Sequence, residues 1–174
     1  MSIIQIRSGK YIDLLNPNPD DITVRDIAHA LSHICRFTGH TDTFYSVAQH
    51  SVLVSKMVPE KYAMDGLMHD ATEAFLGDIS TPLKSLLPEY QKIEKNFHVI
   101  IAYKFGIDFV IPKEVKDADK QICFNEKLSL LPKTELDSEY WGKYGDLNQT
   151  FTVSPYASPI MSYNAFMDRY LELC

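Results

Sequence analysis

Helix-start signals recur along this chain between segments whose apolar residues fall at helical spacing, and they leave little room for any architecture but a helical bundle. Asp21 or Thr23 can cap a helix whose residues Val24, Ile27, Ala28, Leu31 and Ile34 share one face. Ser46, with Gln49 three positions on, has the form of a capping box for a helix through Val47, Val52, Leu53 and Val54. A further helix is expected from about Glu60 to Phe75, ending near Gly77, which lacks the Cβ that opposes a left-handed cap. Thr81-Pro82, Pro88-Glu89 and Pro112-Lys113 each suggest proline at the first helical position, where its missing N–H would have had no partner anyway. Ser162 is expected to cap a closing helix carrying Phe166, Tyr170 and Leu171, after a long loop from Trp141 to Pro159. Only the start departs from this pattern: Ile3 to Arg7 and Tyr11 to Leu14 flank Ser8-Gly9-Lys10 and read as a hairpin. The expected fold is all-α, one helical bundle with a small N-terminal β-hairpin. The hairpin is placed at about 2–14, the helical core at about 21–131 and a C-terminal loop and helix at about 132–174.

A chain of 174 residues buries roughly 70% of its unfolded surface, so its core needs no metal or disulfide staple. The formal net charge of −6 disfavours a nucleic-acid polymer as partner, because such binding runs on Lys and Arg neutralising phosphates. A small phosphate ester stays open, since a few cations in a cleft can outweigh the global charge. Apolar runs such as Val99 to Tyr103 fall far short of the ~20 residues of a membrane-spanning helix, and the start lacks the form of a secretory signal. Cys35, Cys123 and Cys174 are odd in number and lack C-x-x-C spacing. A soluble protein of a reducing cytoplasm, without disulfides or membrane contact, is expected.

Of six histidines, His29 and His33 lack an accompanying acid at useful spacing, and His40 and His98 carry no signal. His50 and His69 keep different company. His69 and Asp70 are adjacent, and Glu73 lies four and three positions on, so a helix would turn all three toward one side. A histidine from the preceding helix, His50, can complete three ligands, and Asp119 is the distal acid with the right setting. Mixed imidazole and carboxylate ligands suit one divalent transition ion, Zn²⁺, Co²⁺, Mn²⁺ or Fe²⁺.

These residues resemble the HD-domain phosphohydrolases. The resemblance runs from Asp26-Ile-Ala-His-Ala-Leu31 through Arg36 and His50, across His69-Asp-Ala-Thr-Glu-Ala-Phe-Leu-Gly-Asp78 and Thr81-Pro-Leu-Lys84, to Lys116 and Asp119. A lone His-Asp pair would mean little, whereas this ordered set is specific. Within the superfamily the chain looks similar to the 5′-deoxynucleotidases and to the small phage-encoded DatZ-like dATP triphosphohydrolases. The resemblance implies His50, His69, Asp70 and Asp119 as metal ligands and Glu73 as the residue that orients or deprotonates the attacking water. It gives Asp78 a part in holding the sugar or the water, and places Phe37 against the deoxyribose. Arg36 suits a bidentate hold on the attacked phosphate, and Lys84 and Lys116 suit the rest of a phosphate chain, with Mg²⁺ expected there as a second ion. The implied reaction converts dATP to deoxyadenosine and triphosphate, with a homodimer or hexamer as the working form and removal of dATP as the role.

Two other readings compete. Alarmone hydrolases of the same superfamily resemble His-Asp-x-x-Glu-Asp, and here the second acid is replaced by Ala74. A catalytically dead nucleotide-binding regulator would have no physical need of a water-activating Glu73.

Overall fold

A computed structural model describes residues 2–148, 152–156 and 158–174, and the statements below concern those residues. They are mostly helical, with one two-stranded antiparallel hairpin at the start, as the sequence led us to expect. Strands β1 (Ile3–Gln5) and β2 (Tyr11–Asp13) pair with Ile4 opposite Ile12. Gly9 turns the chain at φ 86°, a region that a side chain rarely enters. Strand alternation then sends Ile12 into the core and leaves Tyr11 exposed.

The helices are α1 (Val24–His33), α2 (Val47–Met57), α3 (Ala63–Met68), α4 (Glu73–Leu76), α5 (Thr81–Lys84), α6 (Pro88–Phe105), α7 (Lys113–Leu130), α8 (Asp137–Tyr140) and α9 (Pro159–Leu173). Thr23 caps α1 by accepting the Asp26 N–H, and Ile27, Ala28 and Leu31 on its inner face are fully buried. The centre of the molecule is α2. Val47, Ala48 and Val52 join Phe97, Ile101 and Phe166 in the main core, while Val54 turns toward Val115, Ala118 and Ile122 of α7. Flanked by α1, α3, α9 and α7, it is apolar on more than one side, as an interior helix must be. Gln49, His50, Ser51 and Ser55 of α2 are therefore buried, and only Lys56 in its last turn reaches solvent among its polar residues.

Several expectations need correction. The Glu60–Phe75 helix is not continuous: a 3₁₀ turn at Glu60–Tyr62 precedes α3, and residues 69–72 separate α3 from α4. Ser46 does accept the Gln49 N–H, but the Gln49 amide does not return to complete the box. It donates instead to the Ser154 carbonyl at 2.7 Å and accepts the Tyr156 N–H at 2.8 Å, clamping the C-terminal segment onto α2. Of the three prolines only Pro88 opens its helix. Ser80 is the cap of α5, with Thr81 and Pro82 its first two residues, and the extended ψ of Pro112 leaves that residue outside α7.

Ser162 is interior to α9, which begins three residues earlier because Pro159 after Ser158 already presets the helical φ. The long loop carries a 3₁₀ turn at Gly142–Tyr144, and its residue Val153 packs with Tyr45 and Leu130. Positions 149–151 and 157 of that loop lie outside the described residues. The three cysteines are free thiols, and no described helix is long and apolar enough to cross a membrane.

The closest approach of helices that matters for the site lies between α2 and α3. A Cβ on Gly66 would sit 3.0 Å from Ser55 Cα and 3.2 Å from Ser55 N, both rigid backbone atoms. Gly66→Ala is therefore expected to lower stability by about 1–3 kcal/mol through overpacking, read as a lowered denaturation midpoint. An unchanged midpoint would show that α3 can slide without cost.

Candidate metal centre and active site

His50 sits near the start of α2, with its ring fully buried. His69 follows the last residue of α3, where its Nδ1 pairs with the Gly66 carbonyl at 2.8 Å and its Nε2 is left facing the interior. From here the backbone tightens: Ala71 N–H bonds Met68 O, Glu73 N–H bonds Asp70 O, and Phe75 N–H bonds Thr72 O. Such i to i+3 bonding stacks residues three apart, so it sets Glu73 over Asp70 more closely than a regular α-helix would. Glu73 is buried on this tightened turn and feels the charge of Asp70. Gly77 then stops α4 at φ 80° and ψ 157°, a conformation essentially confined to glycine.

The two imidazoles meet two carboxylates at one point. His50 Nε2 lies 3.2 Å from Asp119 Oδ1 and 3.7 Å from Asp70 Oδ2; His69 Nε2 lies 3.2 Å from Asp70 Oδ2 and 4.0 Å from Asp119 Oδ1. Both Nε2 atoms are buried and make no hydrogen bond among the described residues. Orphaned buried nitrogens are costly unless something occupies the space they face. Ligands bound at ~2.1 Å to one ion stand roughly 3.0–3.4 Å apart; the two 3.2 Å separations fall in that range, and the 3.7 and 4.0 Å separations would have to close by a few tenths of an ångström around an ion. His50, His69 and Asp119 form a group with one ligand atom each within 4.8 Å of the others, and can hold a metal ion. Asp70 falls outside that triplet yet faces both imidazoles.

Electrostatics agree with this arrangement. Burial and Arg36 push His50 down, but Glu126 and Asp119 outweigh them and lift it to about 9. Burial likewise opposes the rise of His69, which Asp70 and Asp119 produce. Burial raises Asp70 and Asp119, and the imidazoles more than reverse it, holding both below the usual range. A metal requires neutral imidazole, so binding at pH 7 must expel protons from this site. Calorimetry in buffers of different ionisation enthalpy is expected to show at least one proton released, with affinity rising roughly tenfold per pH unit per proton as pH approaches 9. Binding with no proton release would place the ion elsewhere.

Glu73 is buried, and its Oε2 has no hydrogen-bond partner among the described residues. Burial pushes it well above the ordinary carboxylate range, with Asp70 and Asp78 adding to the rise and Arg36 and Lys84 opposing it. Asp78 is half-buried in the same field and is raised first by burial. Arg36 brings Nη1 to 3.7 Å from Asp70 Oδ2, while its Nε and Nη2 are held by Glu126 at 3.3 and 3.0 Å. Lys84 and Lys116 line a cleft of about 480 Å³ that also exposes His69 and Asp70. Lys84 is already paired with Glu94 at 2.6 Å, and Lys116 is exposed.

Phe37 is half-buried beside Arg36, its ring 5.7 Å from the guanidinium. Phe37 and Thr38 both adopt left-handed backbone, φ 52° and 54°, at a cost of about 1–2 kcal/mol per residue. The strain is sustained by the bridge between Cys35 and Ser46, which includes the Arg36 N–H to Tyr45 carbonyl bond of 2.9 Å. Strained backbone of this kind collects at functional sites. His29 and His33 pair with each other on α1, their rings tilted at 42° with centroids 4.2 Å apart.

Two residues were missed in the sequence. His98 of α6 lines the same cleft as His69 and Lys116, and no local motif marks it. Glu126, fully buried behind His50, lies seven positions after Asp119 on α7. That two-turn spacing puts it on the same face as Asp119 and was the available signal.

No family profile matches the chain. It is 43% identical over 175 residues to the uncharacterized protein YfdR of Escherichia coli (strain K12), an alignment covering 99% of this chain and 96% of that protein. It is 37% identical over 123 residues to the uncharacterized protein RCAP_rcc00048 of Rhodobacter capsulatus, covering 65% of this chain and 63% of that one.

Proposed function

The chain belongs to the family of the Escherichia coli protein YfdR, and from its site we propose that it is a metal-dependent phosphohydrolase of the HD type that cleaves deoxynucleotides at the α-phosphorus, with dATP as preferred substrate. The observation that carries the reading is the convergence of two buried imidazole nitrogens, without hydrogen-bond partners among the described residues, on Asp70 and Asp119, together with the buried Glu73 Oε2, which likewise lacks one. His50, His69, Asp70 and Asp119 would hold the ion, of which Zn²⁺, Co²⁺, Mn²⁺ and Fe²⁺ match the donors. When bound, such an ion acidifies water and draws charge from the phosphoryl group.

The chain's own residues do the rest. Glu73 takes a proton from the attacking water as its oxygen adds to the α-phosphorus. The bond from phosphorus to the 5′-oxygen breaks, and the departing oxygen receives that proton, so water plus dATP gives deoxyadenosine plus triphosphate. Arg36 steadies the phosphoryl oxygens through Nη1, its other nitrogens being fixed in place by Glu126. Lys84 and Lys116 offset the remaining phosphates from the cleft. Phe37 and Asp78 border the sugar.

One observation favours a second reading. Lys84 is bound to Glu94 rather than free, which leaves less positive charge for a triphosphate and suits a 5′-deoxynucleotidase acting on monophosphates. Mass-spectrometric product analysis with dATP, dAMP, dGTP and ATP, in Co²⁺ or Mn²⁺ and again with chelator, decides between them. Deoxyadenosine plus intact triphosphate, abolished by chelator, is the expected result. Turnover of dAMP alone establishes the nucleotidase, and no turnover of any substrate overturns both.

A further inference from the structure

Glu126 has the most fully used carboxylate in the molecule's centre, and none of its bonds reaches the space where a substrate would lie. Its side chain is 0% exposed. Oε1 accepts from His50 Nδ1 at 2.6 Å and from the Tyr45 hydroxyl at 2.7 Å. Oε2 accepts from Arg36 Nε at 3.3 Å and Nη2 at 3.0 Å. A carboxylate offers about four acceptor sites, and four donors fill them here. Glu126 thus has nothing left for an ion or a phosphate and acts only through its neighbours. Stability alone does not account for it, because a buried ion pair gains little over apolar residues of the same volume.

We infer that Glu126 is a positioning residue shared by two groups: one oxygen holds His50 with Nδ1 protonated and Nε2 turned to the metal site, and the other aligns the guanidinium of Arg36 with that same site. The inference rests on the proposed metal centre and extends it from ligand set to ligand control. An imidazole is a tautomeric ligand, and the hydrogen bond at one nitrogen decides which nitrogen faces the ion. Because one rigid carboxylate serves both groups, the imidazole and the guanidinium cannot rotate independently. Tyr45, from the strained segment that also carries Arg36, keeps the carboxylate itself from turning.

The probe is Zn²⁺ added to the full chain. Long-range ¹H–¹⁵N spectra of the zinc-loaded wild type are expected to show His50 bound through Nε2 with a proton on Nδ1. Glu126→Gln, whose amide must turn its NH₂ toward either the imidazole N–H or the guanidinium, is expected to bind Zn²⁺ roughly 10–100-fold more weakly. Wild-type affinity in a folded Glu126→Gln, or His50 bound through Nδ1 in the wild type, overturns the inference. The wild-type spectrum decides alone if the variant does not fold. Neither readout depends on turnover: a protein that binds Zn²⁺ in this way yet leaves dATP and dAMP intact overturns the hydrolase reading and supports the role of Glu126. A wild type that binds no Zn²⁺ overturns the inference about Glu126 and leaves the hydrolase reading to the Co²⁺ and Mn²⁺ assays.

Discussion

Asp70→Ala is expected to lose bound metal and hydrolytic activity together, turnover falling by roughly a thousandfold or more. An ion at this centre supplies several kcal/mol of charge stabilisation to a phosphoryl transition state, and about 4 kcal/mol corresponds to a thousandfold in rate. Asp70 is the informative ligand because His50, His69 and Asp119 already form a triplet able to hold an ion without it. Its Oδ2 nevertheless stands 3.2 Å from His69 Nε2 and 3.7 Å from Arg36 Nη1, so its loss removes a donor and leaves the guanidinium facing two imidazoles. Its side chain is 19% exposed, which keeps the cost to the fold low and makes the variant usable. Metal content by mass spectrometry and turnover by product analysis check it. Wild-type metal content in the variant would reduce the centre to three ligands.

Glu73→Gln is expected to separate what Asp70→Ala removes at once. The amide preserves shape and burial, and Glu73 makes no ion pair or hydrogen bond with His50, His69 or Asp119, so metal content should stay at the wild-type level. Turnover should fall by about 10²–10⁴-fold, the usual worth of a placed proton acceptor. The loss should appear in kcat with KM little changed, because the proton moves only during reaction. Full activity in Glu73→Gln would pass proton transfer to Asp78, the other carboxyl raised by the same burial.

Much of the fold was legible from local chemistry. Thr23, the apolar stripe of α1, Gly9 in the hairpin and Pro88 each act within a few residues of themselves, and each does in the structure what its chemistry dictates. Where expectations slipped, a distant partner intervened. Gln49 left its box for the backbone of Ser154 and Tyr156, more than a hundred residues away. The helix through His69 and Asp70 tightened where both side chains turn into a shared centre with α2 and α7. Prolines and serines marked each helix start only to within a few residues, because proline suits the cap position almost as well as the first turn.

The candidate site divides along the same line. Residue types and order alone singled out His50, His69, Asp70, Glu73 and Asp119, because a His-Asp pair with an acid three positions on is a local pattern. The sequence by itself therefore determined a helical bundle and the donors it could offer to an ion. Tertiary structure alone decided that His50, His69 and Asp119 meet within 4.8 Å, that Lys84 is engaged by Glu94, and that Glu126 stands behind both His50 and Arg36. The physical reason is range: caps, periodicity and turns act over a few residues, while burial and hydrogen-bond competition depend on helices that meet only once the chain has packed.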